Sequence, residues 1–590
     1  MKSYTIQLFI VLFLISHVSK AQDSFFRAST NSEFEIDEET REAMTRFTTS
    51  EDKTTNINRS YVFNIEEDIF NKRTISFQIE GTTISASLLK QNVRGGNGDF
   101  TWFGKTSNGQ GIFFRIKNGS VVSYFSINGF NYVLTPVSGK NKMHILYEVA
   151  DNDEHNECGT IGEVTRERVP SIPPPLPSLD DENCTLRLLV ATTPSVRNAR
   201  TDFEIRNRIN TRIDYANMAY ILSGIDLTVE LAVLVSTNYQ EVTTSSGDGN
   251  IFQDLTNFRN GSGVLQIVHE YRERYQTDLN MLLTNTDTPG SDGMGTIVGL
   301  ANGLQGAPFL TNAARGFSVL GQNAFVFGTN VTTFTHELGH NQGAFHDNNS
   351  PNPSFARGFR SDASSESTIM AVFQTGFSRI QYFSNPNISV SGVTIGTSSR
   401  NNARRLNNTG RFIRGYRIVP VNNNLDNEII PSGFISNHLG KNTVSTTGST
   451  ITYRNGSVGE IRASEEVILS PGITIESGSE FRAYIDRESC LVNTRSNIEV
   501  EVPSSQVLDE TIKTVSLFPN PAQDILHIES DEDIIGIEIM SQIGVLKERR
   551  ESFIDPRKGE FDVSRYKTGI YFIVITFKDG STLNKTMIKK

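Results

Sequence analysis

The sequence contains few cysteines, no excess of positive charge and no long apolar run beyond its first residues. Three cysteines in 590 residues exclude a disulfide scaffold, although a single cysteine can still carry a special task. The formal net charge of −11 argues against a nucleic-acid partner, because phosphate binding requires a basic face. The chain also lacks a Walker loop and a convincing dinucleotide fingerprint, so nucleotide-binding classes are not indicated.

The one long apolar run lies at the N-terminus. Residues 1–21 begin with Lys2, continue through an apolar core at Ile6–Ile15 and lead into SHVSKAQ, which predicts a secretory signal peptide cleaved near Ala21–Gln22. The run is short for a membrane span, and no later segment reaches the length that a span needs. We therefore expect an exported, soluble protein with no stable transmembrane segment.

The most informative stretch is THELGHNQGAFHD, residues 335–347. His336 and His340 are four residues apart, so a helix places both imidazoles on one face. Gly343 can end that helix without a Cβ penalty and let the chain reverse. The reversal is expected to bring His346 to the same point as a third nitrogen ligand. Three imidazoles with one open position describe a catalytic zinc site rather than a closed structural one.

Glu337 follows the first histidine and can lie beside whatever the imidazoles hold. Zinc lowers the pKa of a bound water, and Glu337 is expected to take the proton as water attacks a polarised carbonyl. An isolated HExxH arises by chance, but the extended pattern fixes Gly343 and His346 as well, and Met370 follows at a plausible distance in STIMAVF. His269 lies outside this spacing and is expected to be structural. No pattern decides whether Ca2+ also binds.

The motif resembles that of the metzincin metalloproteases, and within them the reprolysin (adamalysin-like) group. Asp347 follows the third histidine, as in reprolysins, and Val372 stands where astacins and serralysins have a tyrosine ligand. The resemblance covers roughly Cys184 to Pro420. It implies an α/β domain with a mixed sheet, an active-site helix and a Met-turn in which Met370 packs under the metal. Animal reprolysins carry several disulfides that this region lacks, so their loop architecture does not transfer.

The resemblance implies a secreted zinc endopeptidase that hydrolyses protein or peptide substrates and is made as a latent preproprotein. A competing interpretation is a surface adhesin or binding protein with an inert protease domain. Such proteins usually lose the glutamate or a histidine of the motif, and none is lost here. Specificity lies in loop shape, so the sequence does not separate a broad nutritional protease from a self-processing factor directed at one target.

Length and composition predict a multidomain chain. It exceeds the size of one core, and 37% hydrophobic with 21% charged residues fit largely globular structure. We expect six consecutive regions: a signal peptide (1–21), a β-rich propeptide (22–163), a proline-rich linker (164–183), the catalytic domain (184–420), a β-rich accessory module (421–510) and a sorting domain (511–590).

The region before the linker is predicted to hold the enzyme latent. Its short strands and Asn-Gly turns resemble the propeptide of bacterial reprolysin-like proteins. Cys158, in HNECGT, resembles the cysteine switch of reprolysin and matrix metalloprotease propeptides, in which a thiolate takes the open zinc position. The alternative is a disulfide from Cys158 to Cys184 or Cys490. Cleavage in the exposed linker, at Arg166 or Arg168, is expected to release the propeptide.

The catalytic region is predicted to alternate strands and helices around a mixed sheet. Gly295–Gly303 (GTIVGLANG) should form the edge strand above the cleft, where an extended substrate can add a strand through main-chain hydrogen bonds. Residues 371–383 should shape the pocket for the side chain that follows the scissile bond. Phe373, Phe377 and Phe383 in this segment indicate either an apolar pocket or part of the core.

Two β-rich regions follow the catalytic one. Regularly spaced short strands in residues 421–510 predict a small β-solenoid or sandwich that serves as a spacer or binding accessory. Residues 511–590 predict a β-sandwich, and FPNP, GIYF and the terminal basic residues resemble the carboxy-terminal sorting domain of the type IX secretion system in Bacteroidetes. That resemblance implies Sec export, then outer-membrane translocation by the secretion machinery to the cell surface or medium. A carbohydrate- or matrix-binding β-domain is the alternative.

Overall fold

The computed structural model describes most of the chain between residues 57 and 590, and the predicted signal peptide, the linker, Cys184 and Cys490 lie outside it. The chain divides between Asn152 and Asp153 into two compact units. Among the described residues, no helix is long and apolar enough to cross a membrane. The described ranges are 57–65, 67–79, 81–94, 99–117, 119–127, 129–137, 142–149, 156–160, 185–289, 296–304, 315–322, 331–486, 515–541, 546–550, 553–578 and 582–590.

The first unit is an antiparallel sheet with a 3-10 helix at Glu67–Asn71. Its eight strands are β1 (Ile57–Asn64), β2 (Thr74–Ile79), β3 (Thr82–Arg94), β4 (Asp99–Thr106), β5 (Gly111–Lys117), β6 (Ser120–Ile127), β7 (Phe130–Pro136) and β8 (Met143–Val149). They are ordered β1-β8-β7-β6-β5-β4-β3-β2. Aromatic side chains fill the core on one face, and Trp102 is fully buried there against Phe114.

A ten-stranded mixed sheet is the centre of the second unit. Its first seven strands are β9 (Asn156–Thr160), β10 (Thr185–Thr192), β11 (Thr228–Ser236), β12 (Leu279–Leu283), β13 (Thr288–Pro289), β14 (Thr296–Ala301) and β15 (Phe317–Leu320). β11, β10, β12 and β15 run parallel, while β14 pairs antiparallel with β15. The parallel strands are almost continuously buried, because helices cover both of their faces.

In the described residues, six α-helices and a 3-10 helix at Gly263–Leu265 accompany this sheet: α1 (Pro194–Ala199), α2 (Asp202–Ser223), α3 (Ile251–Asn260), α4 (Gln266–Arg274), α5 (Val331–Asn341) and α6 (Asn402–Ile413). A capping box of Thr201 and Glu204 starts α2, and Gly224 ends it in the left-handed conformation. α2 and α5 pack on one face of the sheet, and α3 and α4 pack on the other.

Short strands connect α5 to α6: β16 (Arg360–Ser361), β17 (Glu366–Ser367), β18 (Ser378–Arg379), β19 (Asn385–Val390) and β20 (Val393–Ile395). β17 pairs with β16 on one side and with β18 on the other, and β19 pairs with β20. This small sheet holds the segment that follows Met370 in a defined path.

Residues 422–485 form a three-sided β-solenoid. Its strands are β21 (Asn422–Asn424), β22 (Glu428–Ile430), β23 (Ile435–Gly440), β24 (Thr443–Ser445), β25 (Ile451–Tyr453), β26 (Val458–Ala463), β27 (Glu466–Ile468), β28 (Ile473–Ile475) and β29 (Glu480–Ile485). Each side stacks three parallel strands, one from each coil. Of the two architectures that the sequence leaves open, the chain adopts the solenoid.

The solenoid continues the catalytic sheet, because β23 pairs antiparallel with β11. Arg187 on β10, only 2% exposed, forms an ion pair with Glu230 on β11. Glu230 in turn pairs with Arg462 of the solenoid. Nη2 of Arg187 also donates to the carbonyl of Asn437 at 2.7 Å. The regions that the sequence analysis divides at residue 420 therefore share one sheet and one buried ionic network.

The C-terminal segment has a core of its own. Its strands are β30 (Val515–Phe518), β31 (Ile525–Ser530), β32 (Ile534–Ser541), β33 (Leu546–Arg550), β34 (Lys558–Asp562), β35 (Gly569–Phe577) and β36 (Thr582–Lys589). They form one sheet ordered β30-β31-β34 and another ordered β33-β32-β35-β36. Side chains from both sheets, among them Leu526, Phe561 and Ile573, share one apolar cluster.

Candidate active site

Helix α5 carries His336 and His340 on one face, and the turn after it brings His346 to the same point. Nε2 of His346 lies 2.9 Å from Nε2 of His336 and 3.0 Å from Nε2 of His340. All three side chains are buried. In the described part of the chain, this is the only cluster of three or more His, Cys, Asp or Glu side chains with ligand atoms close enough to share a metal ion.

Two carbonyl groups orient the imidazoles. Nδ1 of His336 lies 2.8 Å from the carbonyl of Ile369, and Nδ1 of His340 lies 2.9 Å from that of Ala344. A carbonyl only accepts hydrogen bonds, so each Nδ1 donates and each Nε2 keeps its lone pair towards the other rings. Lone pairs that converge at such distances repel unless a cation lies between them, so the donor set fits a zinc ion.

Burial keeps the three imidazoles neutral. Desolvation lowers the pKa of His340 to about 4 and places the pKa of His336 and His346 well below the ordinary value. The neighbouring imidazoles and the positive charge of Arg379 lower the pKa of the latter two further. Because metal ligands must be deprotonated, these residues are ready to bind a metal at neutral pH.

The chain reversal expected at Gly343 is present. Gly343 has φ of 91°, a conformation that favours glycine, and a Cβ there would lie 2.6 Å from Nε of Arg405. The same Nε donates to the carbonyl of Gly343 at 3.2 Å, and Nη2 donates to the carbonyl of Leu304 at 3.1 Å. Arg405 of α6 therefore holds the turn that delivers the third histidine.

Met370 packs against the helix that carries His336 and His340, and Asp347 contacts the segment that follows Met370. Met370 is fully buried, and a Cβ added at Gly339 of α5 would lie 2.7 Å from its Sδ, so the helix packs directly on the thioether. Asp347 accepts a hydrogen bond from the amide of Val372 at 2.9 Å and forms an ion pair with Arg360 at 3.3 Å. These contacts join the end of the histidine motif to the segment after the methionine.

Glu337 lies between α5 and strand β14 and is fully buried. A Cβ on Gly299 of β14 would collide with Oε1 of Glu337 and lie 2.8 Å from Cγ2 of Thr333. Only glycine lets the strand approach the helix so closely. The sequence predicts a strand here but does not single out Gly299, because nothing local marks which glycine of GTIVGLANG faces the carboxylate.

Gly299→Ala is expected to lower kcat/KM for peptide hydrolysis on the order of 100-fold, because the added methyl group displaces the Glu337 carboxylate. Gly303→Ala is the matched control, since its Cβ would only reach ordinary contact with Phe345 at 3.5 Å. Steady-state kinetics and thermal melting of both variants separate lost activity from lost folding. A fully active Gly299→Ala would contradict the assigned position of Glu337.

Strand β9 occupies the outer edge of β14. The pairing is parallel and places Cys158 opposite Gly299, the residue that faces Glu337. A strand edge that is already paired cannot accept another strand. The backbone therefore brings Cys158 to the register position nearest the candidate site.

Three other residues named from the sequence, Phe383, Phe377 and His269, contact parts of the fold other than the triad. Phe383 is buried and stacks on Tyr220 with ring centroids 5.7 Å apart, which places it in the core. Phe377 lies beneath the guanidinium of Arg360 at 5.2 Å. His269 is apart from the triad, as expected, and its Nε2 lies 3.1 Å from the carbonyl of Phe258.

Three converging buried imidazoles, with a buried glutamate on the same helix that packs against a strand, fit a metallohydrolase-type site. Two parts of the chain match family models: residues 182–384 match metallo-peptidase family M12, in its reprolysin branch, and residues 516–590 match the secretion system C-terminal sorting domain. The chain is a metalloendopeptidase with a reprolysin-like M12 domain and a C-terminal type IX sorting domain.

The similarity between this chain and curated relatives extends beyond the catalytic region. A peptidyl-Asp metalloendopeptidase of Xanthomonas campestris pv. campestris is 26% identical over 59% of this chain and 82% of its own length. One from Stenotrophomonas maltophilia is 28% identical over 58% of this chain and 83% of its own length. Metalloproteinase-II from Bacteroides fragilis, a solved structure, is 12% identical over 56% of this chain and 90% of that one, with a TM-score of 0.30, too low to establish a shared fold.

Proposed function

We propose that the chain hydrolyses peptide bonds with a zinc ion held by His336, His340 and His346. The observation that carries this proposal is the convergence of three Nε2 atoms at a helix that also carries the buried Glu337. Bound zinc supplies a Lewis acid that polarises a carbonyl oxygen and lowers the pKa of water. Glu337 accepts a proton from the attacking water and later gives it to the leaving amine. Met370 supports the histidines and does not react.

An aspartate beside the scissile bond is the proposed preference. Both curated relatives carry the name peptidyl-Asp metalloendopeptidase, and the alignments span more than four fifths of their lengths. This proposal replaces the apolar pocket that the aromatic residues suggest, because Phe383 stacks on Tyr220 and Phe377 lies beneath Arg360.

The test is hydrolysis of a diverse peptide library by the processed protein, with products identified by mass spectrometry. We expect internal cleavages that stop when a chelator removes the metal and resume when Zn2+ is restored. His340→Ala should lose both the metal and the activity, while His527→Ala, an exposed histidine of the C-terminal segment, should keep both. Zinc-loaded protein that cleaves no peptide would favour the binding protein with an inert protease domain.

Latency is proposed to come from the segment around Cys158. Strand β9 fills the β14 edge that an extended substrate would use, and its register brings Cys158 to the level of Gly299. A thiolate is a strong zinc ligand and can take the open position in the precursor. Cleavage at Arg166 or Arg168 would then free both the edge and the metal. Cys184 and Cys490, the disulfide partners that the sequence leaves open, lie outside the described residues.

Cys158→Ser is expected to make the uncut precursor active or self-degrading, because a hydroxyl replaces zinc-bound water far less readily than a thiolate does. Gel mobility over time and cleavage of a quenched peptide measure this. Cys184→Ser and Cys490→Ser are the matched controls and should stay latent. If either one behaves like Cys158→Ser, a disulfide accounts for the latency instead.

Export is proposed to require the C-terminal segment. Deleting residues 514–590 should leave the protein in the periplasm with its activity intact, since this segment has its own apolar core. Fractionation of cells and medium, followed by immunoblotting and a peptide assay, measures the distribution. Normal amounts of the truncated protein at the surface or in the medium would contradict the sorting role.

A further inference from the structure

Arg379 lies on a rigid part of the segment that follows Met370. The amide of Ser378 donates to the carbonyl of Ser365, and the amide of Ile380 donates to that of Ser367, each at 2.8 Å. These bonds flank Arg379 on both sides and pair β18 with β17. The backbone of Arg379 is therefore held by the small sheet, and its half-buried side chain starts from a defined point.

The guanidinium of Arg379 contacts the backbone of the residue that follows Met370. Nη2 of Arg379 donates to the carbonyl of Ala371 at 3.1 Å, the residue directly after Met370. Two residues earlier, the carbonyl of Ile369 accepts the hydrogen bond from Nδ1 of His336. The guanidinium is thus bound to the backbone two residues after the carbonyl that orients His336, within the segment that follows Met370.

Within the described residues, Arg379 has this one hydrogen bond and no ion pair. Arg360, on strand β16 of the same small sheet, makes more contacts within the fold. It pairs with Asp347, donates to the carbonyl of Val372 at 2.6 Å and covers the ring of Phe377. A guanidinium has five donors in a planar fork that matches a carboxylate. Most donors of Arg379 therefore remain for an incoming acceptor, whereas those of Arg360 serve the fold.

We infer that Arg379 is the specificity-determining residue that binds the carboxylate of an acidic substrate side chain immediately after the scissile bond. The inference rests on the proposed peptidase function and assigns a residue to its acidic preference. Residues 371–383 shape the pocket for that side chain, and Arg379 is the cation in this stretch. A charge-assisted, bidentate pair formed beside the metal discriminates between aspartate and its uncharged isostere asparagine.

The sequence alone did not identify this residue. Arginine occurs throughout the chain, and several described arginines, such as Arg187, Arg360 and Arg462, form ion pairs within the fold. Arg379 is distinguished from the other arginines by its position on strand β18 and by its hydrogen bond to the carbonyl of Ala371.

The experiment compares kcat/KM on quenched peptides that differ only in the residue after the scissile bond, which is Asp, Asn or Ala. For the processed wild type we expect Asp to be preferred over Asn on the order of 10- to 100-fold. Arg379→Met should reduce that ratio to about threefold or less, because cleavage of the Asp peptide slows more than cleavage of the Asn peptide. Arg379→Lys should recover part of the preference, because a charge without the planar fork remains.

Arg404→Met is the matched control, since this exposed arginine of α6 stacks on Phe355 away from the segment. Its Asp-to-Asn ratio should equal that of the wild type. If Arg379→Met lowers cleavage of all three peptides equally, the residue is structural and the inference fails. It also fails if the ratio is unchanged, or if mass spectrometry places the preferred aspartate before the cleaved bond. Absence of any hydrolysis by the wild type would instead contradict the proposed peptidase function.

Discussion

Glu337→Gln is expected to bind zinc like the wild type and to hydrolyse peptides on the order of 100- to 10,000-fold more slowly. Glutamine has nearly the same shape and can occupy the buried space between α5 and β14 without moving Gly299. Its amide, however, cannot take a proton from the attacking water. The histidines are unchanged, so the metal should stay. The measurement combines kcat/KM with metal content by mass spectrometry.

The controls for this prediction separate chemistry from metal binding. His340→Ala removes one of the three converging Nε2 atoms and should lose the zinc together with the activity. Glu337→Gln should lose only the activity, with an unchanged melting temperature. Near-normal turnover by zinc-loaded Glu337→Gln would show that another group accepts the proton and would remove Glu337 from the mechanism.

A chain that ends at Pro420 is expected to be insoluble or unfolded, although it contains the whole catalytic region predicted from the sequence. Its end would expose the edge of β11, which pairs with β23 in the intact protein. Arg187 would lose the carbonyl of Asn437, and Glu230 would lose Arg462. Arg187 and Glu230 would still pair with each other, but the apolar side chains that the sheet and the solenoid share would be exposed. The typical stability of a domain is only about 5–15 kcal/mol, so these losses are expected to unfold it.

A chain that ends at Glu510 is the matched control for this truncation. It keeps the solenoid and lacks only the C-terminal segment, whose apolar core is its own. Soluble yield, thermal melting and peptide hydrolysis should resemble those of the longer protein. If the chain ending at Pro420 melts and hydrolyses peptides like the one ending at Glu510, the solenoid is an independent accessory, as the sequence first suggests.

Features that depend on only a few neighbouring residues could be predicted from the sequence. His336 and His340 share a helical face because of their spacing, and Gly343 turns the chain because only glycine adopts its left-handed φ freely. The motifs that indicate the protease family and the sorting domain are also short stretches of residues. Such features require no knowledge of distant partners, since the backbone of a few residues is sufficient to produce them.

Tertiary structure alone decided the relations between residues far apart in the chain. Gly299 is identified because strand β14 packs closely against Glu337. Arg379 is identified because its side chain, which starts from strand β18, donates a hydrogen bond to the carbonyl of Ala371. The solenoid belongs to the catalytic sheet because β23 pairs with β11, about two hundred residues earlier. A glycine, an arginine and a short strand are each common in sequence. Which glycine, arginine or strand acquires a role depends on which residues the packed core brings into contact. Those contacts are set by the whole core and not by the neighbouring sequence.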